Sequence, residues 1–151
     1  MSSPSSSDFT DPLGPPLIGA LLRVPLDVVR ARMLQRLHER GFDDLEAAHL
    51  VVLQYPGPQG SRPSELAGRT RMSKQAVNYL LGQLERQGYI RRVGDVEDRR
   101  SKRIALTKRG RDAALTIRDA VAEVERDWTA QLGPRRFAQL RALLTDLNAG
   151  L

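Results

Sequence analysis

The chain contains no cysteine among its 151 residues, which excludes disulfides, thiolate metal sites and cysteine redox switches. Aromatic residues are scarce, at 5%, so the 40% hydrophobic content predicts a core of leucine, valine and alanine. No segment approaches the roughly 20 consecutive apolar residues of a membrane-spanning helix. The first twelve residues lack the basic start and the apolar stretch of a secretory signal. These absences favour a cytoplasmic protein.

Motifs for catalysis are missing as well. The two histidines, His38 and His49, do not fit the two-histidine zinc pattern, and there is no phosphate-binding glycine loop or nucleophile elbow. Each histidine is better explained as a helix residue that makes a local hydrogen bond. We therefore expect no enzyme, no metal site and no cofactor.

Positive charge is concentrated in one third of the chain. The net charge is +6 overall, but residues 62–111 hold 14 basic and 5 acidic residues, a net charge of +9 that leaves −3 for the rest. A local excess of this size is typical of a surface that binds a polyanion.

The first third of the chain predicts a tail and helices. Residues 1–12, rich in serine and proline, are expected to be disordered. In the helical pattern that follows, Pro25 predicts either a kink or the first turn of a second helix. Asp43 and Glu46 resemble a capping box, which predicts a short helix over 44–54.

The middle of the chain predicts two short helices and a hairpin. The helices cover 63–69 and 74–86, and Ser73 is the expected N-cap of the second. Strands over 89–93 and 103–106 follow, joined by a charged connection. Two further helices complete the chain, so the fold class is mainly α with a small β-hairpin wing. A tight helix pair followed by a basic hairpin indicates a winged helix-turn-helix.

The second helix of the pair is apolar on one side and polar over its N-terminal half. Glutamine and asparagine can bond adenine through two hydrogen bonds, lysine reaches guanine or phosphate, and a helix N-terminus itself favours phosphate. An ordinary solvated helix face is the alternative. The residues expected to face DNA are Ser73, Lys74, Gln75, Asn78 and Tyr79.

The turn of the hairpin is strongly basic, with Arg99, Arg100, Lys102 and Arg103 close together. An arginine at such a tip can enter a narrow minor groove, where the negative potential is strongest. Asp98 has the sign and spacing to pair with Arg100 and stiffen the turn. A solvated charged loop is the alternative.

Several separated motifs resemble the MarR family of winged helix-turn-helix regulators. They are SELA at 64–67, MSKQAV at 72–77, LERQGYI at 84–90, DRRS at 98–101 and LTKRG at 106–110. The resemblance implies N- and C-terminal helices that interlock into a two-fold homodimer. It also implies repression of transcription, with release of DNA when a small ligand binds near the dimer helices.

The same resemblance assigns roles to particular residues. Base contacts fall on the five polar helix positions, and the wing contact falls on Arg100, braced by Asp98, with Arg99 and Lys102 on phosphates. Two recognition helices related by a two-fold axis imply a palindromic double-stranded operator. The resemblance divides one domain, 13–151, into N-terminal helices at 13–58, a DNA-binding module at 61–110 and dimerisation helices at 107–151.

This chain departs from the family pattern at a few positions. Arg62 stands where a serine or threonine cap is common, and Thr70 and Arg71 replace the usual Leu-Gly, which predicts a less tight turn. Arg62 and Arg71 are therefore candidate phosphate contacts. Pro25 is unusual in the first dimer helix.

Among the expected partners, the small-molecule effector is the one about which the sequence says least. A small aromatic or anionic molecule between the first, second and fifth helices is one hypothesis, with Arg30, His49 and Trp128 as candidate contacts. Each of these has an alternative role in packing or at the surface. Two rival functions stay open: a winged helix that only docks proteins or dimerises, and a basic surface for anionic membranes.

Overall fold

The computed structural model describes residues 14–54, 60–94, 100 and 102–151. Its elements are α1 (Ile18–Glu39), α2 (Ala47–Leu53), α3 (Pro63–Thr70), α4 (Lys74–Arg86), β1 (Ile90–Gly94), β2 (Lys102–Leu106), α5 (Lys108–Leu132) and α6 (Pro134–Ala149). The predicted fold class, mainly helical with one hairpin, is confirmed. The predicted tail at 1–12 lies outside the described residues.

Helix α1 runs unbroken past Pro25, so the alternative of a separate second helix is wrong. Proline removes one backbone donor, which would have bonded the carbonyl of Leu21 one turn earlier. This half of the helix is exposed, with Leu21 at 54%, so water can satisfy that carbonyl. The second half is fixed to the core through Met33 and Leu37.

Helix α2 begins later than the sequence suggests, and the predicted Asp43–Glu46 capping box is wrong. The N-cap is Glu46, whose backbone N–H donates to His49 Nδ1 at 3.0 Å. The backbone of Glu46 is extended, with φ of −116° and ψ of 169°, and upstream the Asp44 carboxylate binds Tyr89 and Arg109. The bond between Glu46 and His49 therefore marks where this helix starts.

Helices α3 and α4 form the predicted pair. Ser73 caps α4 as expected, its hydroxyl accepting from the backbone N–H of Ala76 at 3.1 Å. In the connecting turn Arg71 adopts the left-handed conformation, with φ of 55°. That conformation suits glycine and costs other residues on the order of 1 kcal/mol.

The hairpin is tied to the start of α3. Strands β1 and β2 pair antiparallel, with Ile90 opposite Leu106 and Gly94 opposite Lys102. Ser61 adds a bridge: it donates its N–H to the Ile104 carbonyl at 3.0 Å and accepts the Ile104 N–H at 2.7 Å. The wing is therefore held to the helix pair by backbone bonds.

Helix α5 follows the hairpin and packs against α1. Thr107 caps it, accepting from the backbone N–H of Gly110 at 3.1 Å. Farther along, Glu123 binds Arg36 at 2.9 Å and Arg32 at 3.1 Å, which fixes α5 against α1. The Arg36 guanidinium lowers the pKa of the Glu123 carboxyl. Within the described ranges, no helix combines the length and apolar character needed to cross a membrane.

Candidate nucleic-acid interface

Helix α4 presents a polar half-face because its opposite side is anchored in the core. Val77, Leu81 and Leu84 are fully buried and Leu80 nearly so. Met72 and Ala76 are half-buried. The five residues predicted to face outward are all exposed: Ser73, Lys74, Gln75, Asn78 and Tyr79. The predicted exposure of this surface is confirmed, and its contact with DNA remains a prediction.

Tyr79 is the one large aromatic side chain among these five. It is 65% exposed, and its hydroxyl accepts a hydrogen bond from Gln83 Nε2 at 3.3 Å. Gln83 also faces the buried His49, with 3.1 Å between Gln83 Oε1 and His49 Nε2. Sequence reasoning missed Gln83, although its position one helical turn after Tyr79 was a usable signal.

Two of the basic residues predicted at the hairpin turn lie on the described surface of the wing. Arg100 and Lys102 are both exposed, and Lys102 opens β2. Arg103 is half-buried and donates to the Gly60 carbonyl at 3.3 Å, so it is used within the fold. Asp98 and Arg99 lie outside the described residues, so the predicted bracing of Arg100 by Asp98 stays a prediction.

The two candidate phosphate contacts differ in setting. Arg62 is half-buried as the N-cap of α3, and its backbone N–H donates to Glu65 Oε2 at 3.1 Å, so the Glu65 side chain satisfies one donor at the start of this helix. Arg71 is exposed in the turn, and its guanidinium donates to the Leu151 carbonyl at 2.6 Å. Arg71 therefore has an internal partner that sequence reasoning did not foresee.

The base of the wing is held by a cluster of Asp44, Tyr89 and Arg109. The buried Tyr89 hydroxyl donates to Asp44 Oδ1 at 2.5 Å, and Arg109 donates to the Tyr89 oxygen at 3.0 Å. Burial raises the pKa of Tyr89 to about 12, and the hydrogen bond to Asp44 adds to this effect. The hydrogen bond with Tyr89 raises the pKa of Arg109. The cluster joins the loop before α2, the start of β1 and the first turn of α5.

The three candidate effector residues do not share one pocket. Arg30 lines a cavity of about 370 Å³, together with Leu26, Met33, Leu50 and Arg69. Trp128 lines a separate cavity of about 230 Å³ between α5 and α6. His49 is buried and hydrogen-bonded, so its alternative role in packing is the better supported one. In the described part of the chain, no group of three or more histidine or acidic residues is placed to hold a metal ion.

A core-anchored helix with an exposed polar N-terminal half, beside a basic antiparallel hairpin, defines a winged helix-turn-helix protein. A sequence profile described as the MarR family matches residues 43–101. PecS, a transcriptional regulator of Dickeya dadantii (strain 3937), is 30% identical over 132 residues that cover 85% of this chain and 77% of that protein. The chain belongs to the MarR family of DNA-binding transcriptional regulators.

Other relatives match a shorter stretch. ExpG, a transcriptional activator of exopolysaccharide II synthesis in Rhizobium meliloti, is 32% identical over 90 residues. The match covers 60% of this chain and 46% of ExpG, so the chain spans about half the length of that relative. Because members of the family are transcriptional regulators, the prediction that the chain is not an enzyme is confirmed.

Solved structures agree with the fold. MepR of S. aureus, in a DNA complex, has a TM-score of 0.70 at 24% identity, covering 91% of this chain and 100% of that chain. At that identity the likeness concerns the fold alone. A MarR family protein of Mycobacterium tuberculosis, in complex with salicylic acid, has a TM-score of 0.61 at 28% identity and covers 88% of this chain and 97% of its own.

Proposed function

We propose that the chain binds a palindromic operator as a homodimer and represses transcription, working in the cytoplasm. The observation that carries this proposal is the exposed polar half of α4, Ser73 to Tyr79, beside the exposed basic residues of the wing. In this arrangement α4 enters the major groove and reads bases, while Arg100, Arg99 and Lys102 anchor the neighbouring backbone or minor groove. Arg62 and Arg71 are assigned to phosphates at the edge of the same surface.

The homodimer is supported by uncovered apolar surface at both ends of the chain. On α1, Leu17, Ile18 and Leu21 are 81%, 71% and 54% exposed, and on α6 Leu143 and Leu147 are 67% and 54% exposed. Monomeric proteins rarely leave so many large apolar side chains in water. We assign both helices to a two-fold interface, with 13–58 and 107–151 forming the dimer and 61–110 the DNA-binding modules. Two copies of α4 would then read half-sites about one helical turn apart.

A small ligand is proposed as the signal that releases DNA. The cavity beside Arg30 lies between α1, α2, α3 and α5, which agrees with the region expected for the effector. Its lining combines apolar side chains with the cations Arg30 and Arg69, which favours a small aromatic anion. The salicylic acid bound by the Mycobacterium tuberculosis relative belongs to that chemical class.

The decisive experiment is selection of duplexes from a randomised library by the full chain. The expected result is enrichment of one palindromic sequence, with an affinity that falls steeply as salt is raised. Mobility shifts with the enriched duplex, with and without salicylate, then test ligand release. A chain that enriches no sequence and binds no duplex at low salt would instead be a docking or dimerisation module. Binding only to vesicles of anionic lipid would support the membrane alternative.

A further inference from the structure

A continuous chain of hydrogen bonds links helix α2 to the exposed surface of α4. It starts at the backbone N–H of Glu46, which donates to His49 Nδ1 at 3.0 Å. The other ring nitrogen, His49 Nε2, lies 3.1 Å from Gln83 Oε1. Gln83 Nε2 lies 3.3 Å from the Tyr79 hydroxyl oxygen. These hydrogen bonds therefore connect a buried histidine, 3% exposed, to a tyrosine that is 65% exposed.

The direction of every bond in this chain follows from its first donor. A backbone N–H can only donate, so His49 Nδ1 must be the acceptor and the neutral ring carries its proton on Nε2. That N–H needs an acceptor, which fixes the Gln83 oxygen toward His49 and the amide nitrogen toward Tyr79. The amide nitrogen can only donate, so the Tyr79 oxygen accepts. The proton of the Tyr79 hydroxyl is left to point away from Gln83.

We propose that His49 and Gln83 are positioning residues that make the Tyr79 hydroxyl a directed hydrogen-bond donor toward an acceptor on DNA. The proposal rests on the proposed function, in which this half of α4 enters the major groove. The acceptor is either a phosphate oxygen or a base acceptor such as guanine O6 or N7 or thymine O4. Because the hydroxyl is held before DNA arrives, less side-chain freedom is lost on binding.

A need for stability alone explains only some of the hydrogen bonds between Glu46 and Tyr79. The bond between Glu46 and His49 satisfies a donor at the start of α2, and this would be needed in any protein with this helix. That bond leaves the proton on His49 Nε2 in need of an acceptor, which Gln83 Oε1 supplies, so stability accounts for the hydrogen bonds as far as the Gln83 oxygen. Stability does not require the further bond from the Gln83 amide nitrogen to the exposed Tyr79 hydroxyl. Gln83→Glu, which keeps the acceptor for His49, therefore separates positioning from stability, whereas Gln83→Leu also leaves the His49 proton without its acceptor.

The first test is a double-mutant cycle with Tyr79→Phe and Gln83→Leu, measured on the duplex that the wild-type chain enriches from a randomised library. Each single variant is expected to bind about fivefold more weakly, the usual worth of one hydrogen bond. The double variant is expected to bind no more weakly than Tyr79→Phe, because Gln83 acts through the hydroxyl. Losses that multiply, or a Gln83→Leu variant that binds as well as wild type, would overturn the proposal.

Controls separate positioning from damage to the fold. Gln35→Leu makes the same replacement at an exposed position of α1, 14 residues past Leu21 and so away from the α1 residues assigned to the dimer contact, and should leave affinity unchanged. Thermal unfolding of each variant checks that the dimer and the fold survive. If Gln83→Leu does not fold, Gln83→Met replaces it, since methionine has similar length and no donor.

The second test uses Gln83→Glu to reverse the direction of the hydrogen bond between residue 83 and the Tyr79 hydroxyl. A carboxylate still accepts from His49, but it also accepts from Tyr79, so the hydroxyl turns inward and presents lone pairs to DNA. We expect a loss at least as large as that of Gln83→Leu. The same substitution in the Tyr79→Phe background measures the repulsion of the new charge alone, and this loss should be smaller. Equal losses in the two backgrounds would overturn the directed donor.

Repeating the selection of duplexes with the Tyr79→Phe and Gln83→Leu variants identifies which group on DNA accepts the hydrogen bond. If Tyr79 donates to a base, Tyr79→Phe and Gln83→Leu should relax preference at the same single base pair. If it donates to a phosphate, both should weaken all duplexes equally, and a methylphosphonate at that position should reproduce the loss. If the wild-type chain enriches no duplex, the proposed function and this inference are both overturned. If the wild-type chain enriches a duplex and Gln83→Leu selects the same sequence with the same affinity, only this inference is overturned.

Discussion

The guanidinium of Arg109 lies over the ring of Tyr89, with its central carbon 4.5 Å from the ring centroid. The same guanidinium also donates to both carboxylate oxygens of Asp44 at 3.1 Å. Tyr89 ends the connection from α4 to β1, and its carbonyl accepts the backbone N–H of Thr107 at 3.0 Å. These contacts therefore fix the start of β1, and with it the base of the wing, against the first turn of α5.

The buried Tyr89 predicts a loss of stability in alkali. The ordinary tyrosine pKa is about 10, and burial raises the pKa of Tyr89 to about 12 in the folded chain. The folded state therefore holds this proton more tightly, so its contribution is complete below about pH 10 and disappears as pH rises through about 12. Urea unfolding across that range should show a falling free energy of unfolding, and Tyr89→Phe should reduce the fall. Tyr79→Phe, at an exposed site, is the control and should retain it.

The sequence predicts local structure well where the signals are local. The cap at Ser73, the bounds of α4 and the presence of the two strands depend only on hydrophobic spacing and short-range donors, so they could be predicted from the sequence. The contact of Asp44 with Tyr89 could not, because the two residues are 45 positions apart in the chain. Likewise His49 and Gln83 are 34 residues apart, and no periodicity in either helix indicates that they meet.

Arg100 is predicted to supply affinity rather than stability. Arg100→Ala should weaken binding on the order of tenfold and reduce the dependence of affinity on salt, because fewer counterions are released. Mobility shifts over a series of salt concentrations measure both quantities. Arg135→Ala removes the same charge from an exposed position of α6 and should change neither. An Arg100→Ala dimer with wild-type affinity and salt dependence would remove the wing from the mechanism.

Asn78 is predicted to read one base. It is exposed on α4 between Gln75 and Tyr79, and an asparagine bonded to adenine through two hydrogen bonds contributes about 1 to 3 kcal/mol of discrimination. Asn78→Ala should therefore relax preference at one position of each half-site, measured with single-base-pair variants of the selected duplex. Uniform weakening over all variants would instead make Asn78 a phosphate contact.

The turn between α3 and α4 is predicted to carry backbone strain. Arg71 has φ of 55°, where a side chain is disfavoured and glycine is not. Arg71→Gly should therefore be more stable than Arg71→Ala by about 1 kcal/mol, since both variants lose the bond to Leu151 and only alanine keeps the strain. The comparison uses urea unfolding of the two variants. If they are equally stable, the left-handed conformation costs nothing in this turn.

The apolar face of α6 is predicted to hold the dimer together. Leu143 is 67% exposed on α6, and Tyr79 is 65% exposed on α4, in the module 61–110 outside the assigned interface. Leu143→Asp would bury an unpaired carboxylate in each half of a two-fold contact, which costs several kcal/mol. We expect dimerisation to weaken on the order of 100-fold or more in sedimentation experiments, with loss of operator binding at concentrations where the variant is monomeric. Tyr79→Asp introduces the same charge at similar exposure outside the assigned interface and should remain dimeric. A dimeric Leu143→Asp variant, or a monomeric wild-type chain, would place the subunit contact elsewhere or remove it.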